Sequence, residues 1–312
     1  MRLIMLGTGP FAVPTLEALA ASPNEVVLAV ARPPRGRAAQ ASPLQRAGKL
    51  LNLETWTPES VNLPDSQARL STLAADLLVV CDYGEILRPA TLATTRLGGI
   101  NLHGSLLPKY RGAAPVQWAI LRGETETGNT VIQMTPGLDA GPCLAQQRTP
   151  IDPDADAATL EARLSVLGAA LVRRVVDQLA AGTTVPVEQT PGEASKAPRL
   201  TKEHGAIDWT RSAFEIKNLV RAVQPWPRAY TFWHRSEGAP IRLNVDRVQL
   251  ASAGELASAS GAVMDASNRL EVSTGEGALE ILAVQPAGKR AMTAAEFLRG
   301  NRVSVGDRFG PA

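Results

Sequence analysis

Leu3-Ile4-Met5-Leu6-Gly7-Thr8-Gly9-Pro10-Phe11-Ala12-Val13-Pro14 runs four apolar residues into a glycine-bounded turn and a proline-bearing helix start. An unbroken apolar run of this length reads as a strand buried on both faces, and the glycines let it turn tightly into the next element. The same grammar continues through the first half of the chain. Strands are expected at 3–6, 26–30, 77–80, 100–103 and 131–134, alternating with helices at 14–21, 43–51, 113–122 and 157–181. This alternation predicts an α/β fold: a doubly wound, Rossmann-like, mainly parallel sheet with helices on both faces and ligands at the carboxyl ends of its strands.

Gly7-Thr8-Gly9-Pro10-Phe11-Ala12 also fits the dinucleotide fingerprint in its Gly-x-Gly-x-x-Ala form. The acidic residue expected about 20 positions on, to hold a ribose hydroxyl, is replaced by Arg32. A tight turn without a ligand is therefore weighted above a cofactor site. From 190 to 206 the composition becomes polar and proline-bearing, like a linker. Beyond it, a helix at 212–223 is followed by short alternating runs separated by Gly238, Gly254, Gly261, Gly275, Gly277 and Gly288. That texture predicts a smaller all-β, OB-like barrel of about five strands. The expected organisation is a catalytic domain at 1–189, a linker at 190–206 and a barrel domain at 207–312.

Over 312 residues, 32 Lys+Arg stand against 30 Asp+Glu, a balance that excludes a globally cationic nucleic-acid binder. Any polyanion site must be a local patch. Cys81 and Cys143 are too few for a disulfide framework, and three histidines make a histidine-rich metal centre unexpected, so no metal is predicted. No stretch approaches the ~20 apolar residues of a membrane span, and the run 3–6 is too short for a signal segment; a cytoplasmic protein without membrane contact is expected.

The chemistry concentrates in Asn101-Leu102-His103-Gly104-Ser105-Leu106-Leu107-Pro108-Lys109-Tyr110-Arg111-Gly112-Ala113-Ala114-Pro115. Asn101 and His103 lie two apart on a predicted strand and share a face beside a glycine- and proline-bounded loop. The strand at 131–134 leads into Thr135-Pro136-Gly137-Leu138-Asp139-Ala140-Gly141, a turn presenting one carboxylate. If the two strands are neighbours, Asp139 meets the imidazole; otherwise it is a turn former. Ser105 is a rival nucleophile, but it lacks the Gly-x-Ser-x-Gly elbow, which favours direct transfer between two bound substrates.

With Tyr83-Gly84-Glu85-Ile86-Leu87, Ile207-Asp208-Trp209, Pro225-Trp226-Pro227 and Gln285-Pro286-Ala287-Gly288-Lys289, these motifs resemble the folate-dependent formyltransferases almost end to end. Members of that family move a formyl group from 10-formyltetrahydrofolate to an amine. The C-terminal Gln-Pro-Ala-Gly-Lys element argues against the glycinamide ribonucleotide branch. Between 26 and 53 there is no acid, while Arg32, Arg35, Arg37, Arg46 and Lys49 all fall there. This favours the branch whose acceptor is initiator methionyl-tRNA over the amino-sugar branch.

The resemblance implies roles. Asn101 would donate to the oxyanion, His103 would act there as imidazolium or as base, and Asp139 would orient the imidazole. Tyr83, Gly84, Ile86, Leu87, Ser105, Leu106, Leu107, Pro108, Gly137 and Leu138 would line the folate site. Arg32, Arg35, Arg37 and Lys289 would meet the tRNA, with the enzyme a monomer. Two departures from the family stand out: Gly-Thr-Gly-Pro where Gly-Thr-Pro is common, and Asp82 where a small residue is usual. The competing readings are a sugar or nucleotide formyltransferase, and an oxidoreductase built on Gly7, Gly9 and Ala12.

Overall fold

A computed structural model describes residues 1–34, 40–235, 238–251 and 259–312. The elements of the first part are β1 (Arg2–Gly7), α1 (Val13–Ala20), β2 (Glu25–Val30), α2 (Pro43–Leu50), β3 (Thr55–Trp56), α3 (Pro64–Thr72), β4 (Leu77–Cys81), α4 (Pro89–Leu92), β5 (Gly99–His103), α5 (Pro115–Leu121), β6 (Glu126–Gln133), β7 (Cys143–Pro150) and α6 (Ala157–Ala181). Their seven-stranded sheet runs β3-β2-β1-β4-β5-β6-β7. Strands β3 to β5 are parallel, as the alternation predicts. The last two pairings are antiparallel, β6 to β5 and β7 to β6, so β6 alone of these strands runs against the others.

Strand β1 is central because all of Leu3, Ile4, Met5 and Leu6 can be buried there. Leu3 and Met5 pack into one core cluster with Ile100 and Leu102 of β5. Ile4 and Leu6 pack on the opposite face with Leu28, Val30, Leu78 and Val80. The period of two thereby puts Asn101 and His103 on the face opposite Ile100 and Leu102. Helix α2 starts where Ser42 accepts from the Gln45 amide and the Gln45 side chain answers, with Pro43 in the first turn. Such a cap contributes about 1 kcal/mol. The short β3, the polar-faced β7 and helices α3 and α4 carry too little periodicity to be expected from pattern.

By internal contacts one compact unit comprises Met1–Val116, Glu126–Pro150 and Thr159–Pro198, and the other Gln117–Thr125, Ile151–Ala158 and Arg199–Ala312. The stretch read as a linker is therefore divided at Pro198. Its first part is pinned down by Arg111 N–H to the Ser195 carbonyl (2.8 Å) and Ala197 N–H to the Arg111 carbonyl (2.7 Å). A polar, proline-bearing composition marks irregular backbone, and irregular backbone can still be fully hydrogen-bonded.

The second unit contains α7 (Ala213–Ala222), β8 (Ala229–His234), β9 (Ile241–Leu250), β10 (Val263–Asp265), β11 (Leu270–Ser273), β12 (Ala278–Pro286), β13 (Met292–Thr293), α8 (Ala294–Gly300) and β14 (Arg308–Gly310). Its strands follow the order β10-β11-β12-β9-β8-β14, with β13 on β12. Val263 N–H to the Asp307 carbonyl (2.8 Å) and Phe309 N–H to the Gly261 carbonyl (2.7 Å) bring the last strand back to the first. The result is a nearly closed antiparallel barrel. Among the described residues its ring has six strands where about five are expected from sequence, because the three-residue β14 is too short to show alternation. Trp209, Trp233, Phe297 and Phe309 fill its interior, and the Trp209 indole donates to Thr231 Oγ1 (2.9 Å).

Candidate active site

Strand β5 delivers Asn101 and His103 to the carboxyl edge of the parallel strands, where the turn after β1 and the loop after β4 also lie. His103 is only 5% exposed. Its Nε2 is 2.9 Å from the Tyr110 carbonyl, which can only accept, so Nε2 carries a proton. Its Nδ1 is 3.6 Å from Asp139 Oδ2. A neutral ring of that tautomer would turn a lone pair toward a carboxylate, whereas an imidazolium has a second proton to offer it. Asn101 Nδ2 donates to Asp139 Oδ1 (3.3 Å), and the Gly112 N–H to Oδ2 (2.9 Å). Amide, imidazole and carboxylate form one cluster.

The route by which Asp139 arrives differs from the expected one. β6 does neighbour β5, but in register Ile100 pairs with Gln133 and His103 with Thr130. The end of β6 is thus beside the start of β5, remote from His103. The turn must fold back across the sheet to return its carboxylate, and Asp139 adopts a left-handed φ of +49° in doing so.

Sequence reasoning missed the residues that hold this geometry. Thr130 Oγ1 is fully buried, donates to the Ser105 carbonyl (2.7 Å) and accepts from the Leu107 N–H (3.1 Å). Gln146 Nε2 donates to the Leu107 carbonyl (2.6 Å) and to Thr130 (3.0 Å). Together they pin the loop carrying Ser105, Leu106, Leu107 and Pro108, in which the Leu107–Pro108 peptide is cis. Gly112 has φ +129°, and a Cβ there would stand 2.5 Å from the Ala197 carbonyl oxygen. None of these has a local signal, since each partner is far away in sequence.

No activated nucleophile sits in the cluster among the described residues. The buried Ser105 hydroxyl donates to the Lys109 carbonyl (2.6 Å). Burial pushes the thiols of Cys81 and Cys143 up, away from the reactive thiolate. Among the described residues no group of three or more His, Cys, Asp or Glu could hold a metal ion, and no helix is long and apolar enough to cross a membrane.

The loop after β4 is divided in its roles. Tyr83 and Leu87 are buried in the sheet's core with Ile4 and Leu6, while Ile86 is exposed and Gly84 takes φ +84°. Leu87 therefore packs the sheet and does not line an open wall, leaving Ile86 as the accessible apolar side chain. Leu138, in the turn beside Gly137, is likewise exposed. The two departures noted above are one feature: the Gly9 N–H bonds the Asp82 carboxylate, and any Cβ at Gly9 would collide with it. Gly7 has its own packing reason, because a Cβ there would lie 2.5 Å from Ala12 Cβ. The glycine motif is occupied by the protein itself.

Arg32 requires a correction. Its guanidinium is paired with Glu85 and both side chains are largely buried, so its charge is already compensated and it anchors the loop after β4. Glu85 also accepts from Ser60 and from Asn62 Nδ2. A phosphate contact would have to break that pair. Arg35 and Arg37 lie outside the described residues. In the second unit Lys289 is exposed at a turn whose Gly288 has φ +72°. Arg221 instead donates to Asn218 and to the Asp152 and Ala155 carbonyls, and Arg228 pairs with Asp246 at 2.5 Å.

Burial pushes the Tyr83 phenol up to about 12, with Glu85 adding to the effect and Arg32 opposing it. An unfolded chain releases that proton at 10.0, so stability is intact below that pH and is lost as pH rises toward 12. Tyr83→Phe should remove this loss. Denaturant midpoints measured across the window should fall less steeply with pH in the variant than in the wild type.

Residues 1–176 match the Formyl transferase family, and residues 199–302 match the Formyl transferase C-terminal domain. The chain belongs to the formyl transferase family. A methionyl-tRNA formyltransferase of Solibacter usitatus is 43% identical over 314 residues, covering 99% of this chain and 99% of the relative. One of Rhodopirellula baltica is 42% identical over 324 residues, covering 99% and 96%. This formyl transferase is thus an enzyme whose relatives match it from end to end. Among solved structures, the N-formyltransferase from Helicobacter canadensis, in complex with folinic acid and dTDP-3-aminofucose, superposes with a TM-score of 0.68 at 18% identity, over 90% of this chain and 98% of that one. Glycinamide ribonucleotide transformylase 1 from Symbiobacterium toebii gives 0.52 at 20%, over 61% and 94%. At such identities the likeness is one of fold.

Proposed function

We propose that this formyl transferase moves the formyl group of 10-formyltetrahydrofolate to the α-amine of initiator methionyl-tRNA by direct attack, without an acyl-enzyme, as a cytoplasmic monomer. The observation that carries the reading is the Asn101, His103 and Asp139 cluster, in a chain that matches methionyl-tRNA formyltransferases over 99% of both lengths. An α-amine with a pKa of about 7.7–8.0 or lower needs little activation. Its nitrogen attacks the formyl carbon, and negative charge gathers on the formyl oxygen. Asn101 has a second amide N–H to give that oxygen, and the imidazolium of His103 adds its field. As the intermediate collapses, the carbon–N10 bond breaks. The attacking nitrogen loses a proton, which reaches N10 through water with Asp139 as the relay.

Direct attack is favoured because the Ser105 hydroxyl is committed to the Lys109 carbonyl and the thiols are held protonated. The donor's pterin would be read by the main chain of the loop 82–87 and of the turn 137–141, with Ile86 and Leu138 offering apolar contact.

A formyl-transfer assay with charged initiator tRNA, glycinamide ribonucleotide and a 4-amino-4-deoxy nucleotide sugar tests the acceptor. Transfer to the tRNA alone is expected. Transfer to the sugar would keep the chemistry and overturn the acceptor; transfer to none would overturn both.

The exposed Lys289 supplies a second check. Lys289→Ala should weaken methionyl-tRNA binding and reduce the slope of log affinity against log salt by about 0.7–0.9. A slope equal to that of the wild type would remove Lys289 from the tRNA contact.

A further inference from the structure

Building on the formyl-transfer reading, we propose that Gln189 and Arg111 are positioning residues whose side chains clamp the returning turn, so that the Asp139 carboxylate is held against Asn101 and His103. Gln189 lies only 9% exposed, between the bridge residue Val187 and a short 3-10 turn at Pro191–Glu193. Its Nε2 donates to the Asp139 carbonyl and to the Gly141 carbonyl, both at 2.8 Å. Its Oε1 accepts from Arg111 Nη2 (2.7 Å) and Nε (3.1 Å). Both amide hydrogens are thus spent on the turn and the oxygen on one guanidinium, which fixes the amide's orientation.

The turn needs such a clamp. It carries a non-glycine residue at φ +49°, a conformation that persists only where its surroundings over-determine it. Arg111 bears on the same carboxylate a second way, because the next N–H, that of Gly112, donates to Asp139 Oδ2. The Arg111 main chain is in turn held by Ser195 and Ala197. Gln189 therefore joins the turn after β6 to the loop after β5, and Asp139 stands between them.

Gln189→Met keeps the length of the side chain and removes all four hydrogen bonds. A displacement of about 1 Å at a reacting group costs ~10²-fold, so kcat should fall by about 10- to 100-fold while KM for methionyl-tRNA and for the folate donor stays within about 3-fold. Hydrogen exchange on the full chain should quicken in 136–142 and remain at wild-type rates in β1 and β4. Arg111→Met, which leaves the amide in place but unanchored, should show the same pattern more weakly, and it carries the test if Gln189→Met does not fold.

Wild-type kcat, or exchange that rises throughout the sheet together with the turn, would overturn the clamp. If the wild-type protein itself failed to formylate methionyl-tRNA, the acceptor reading would fall, and the exchange comparison would still decide the clamp.

Discussion

Asn101→Ala lowers kcat by about two to three orders of magnitude with little change in either KM, on the expectation that its amide meets charge that develops only in the transition state. Loss of one such donor costs ~2.7–4 kcal/mol where it has been measured in a preorganised site. Asn101 suits the role because one of its two amide hydrogens is oriented by Asp139 Oδ1 at 3.3 Å, leaving the other for the formyl oxygen. The side chain is only partly buried, so truncation should leave the fold intact. Steady-state formylation beside a thermal melt is the check. A folded variant turning over within a factor of about three of the wild type would exclude the oxyanion role.

The second large effect concerns His103 and Asp139 as a unit. His103→Ala and Asp139→Asn should each cost about 10²- to 10⁴-fold in kcat, the usual range for a positioned proton-transfer group. The double variant should be no worse than the poorer single one, because each change already removes the pairing of Nδ1 with the carboxylate. Additive losses would mean that the two groups act independently. Asp139→Asn is the more informative single change, since an amide oxygen can still accept from Gly112 while the charge facing the imidazole is gone.

The face shared by Asn101 and His103 was legible from sequence because strand periodicity is local: two residues apart is the same side, whatever the strand pairs with. Their neighbour Asp139 follows only on the condition that the two strands are adjacent, and the direction of β6 is invisible to pattern, since parallel and antiparallel strands present similar short apolar runs. The charge of Arg32 is visible in the sequence and its role is not. Its partner Glu85 lies 53 residues away, and a count of cations does not register a buried pair. Gln189 carries no signal at all, being one polar residue just before the stretch of linker composition, with contacts that lie 48 and 50 residues back.

The parallel core around β1, the C-terminal barrel, the family and the three residues that meet in the cluster can thus be read from the chain alone. Burial periodicity, glycine turns and a contiguous motif are properties of neighbouring residues, and they survive without knowledge of the fold. The reversal of β6, the return of the turn over the sheet, the Nε2 proton of His103 and the hydrogen bonds of Gln189 to that turn emerge only from the folded arrangement. Each of these depends on a hydrogen bond between distant segments, whose geometry exists only once both have been brought to the same edge of the sheet.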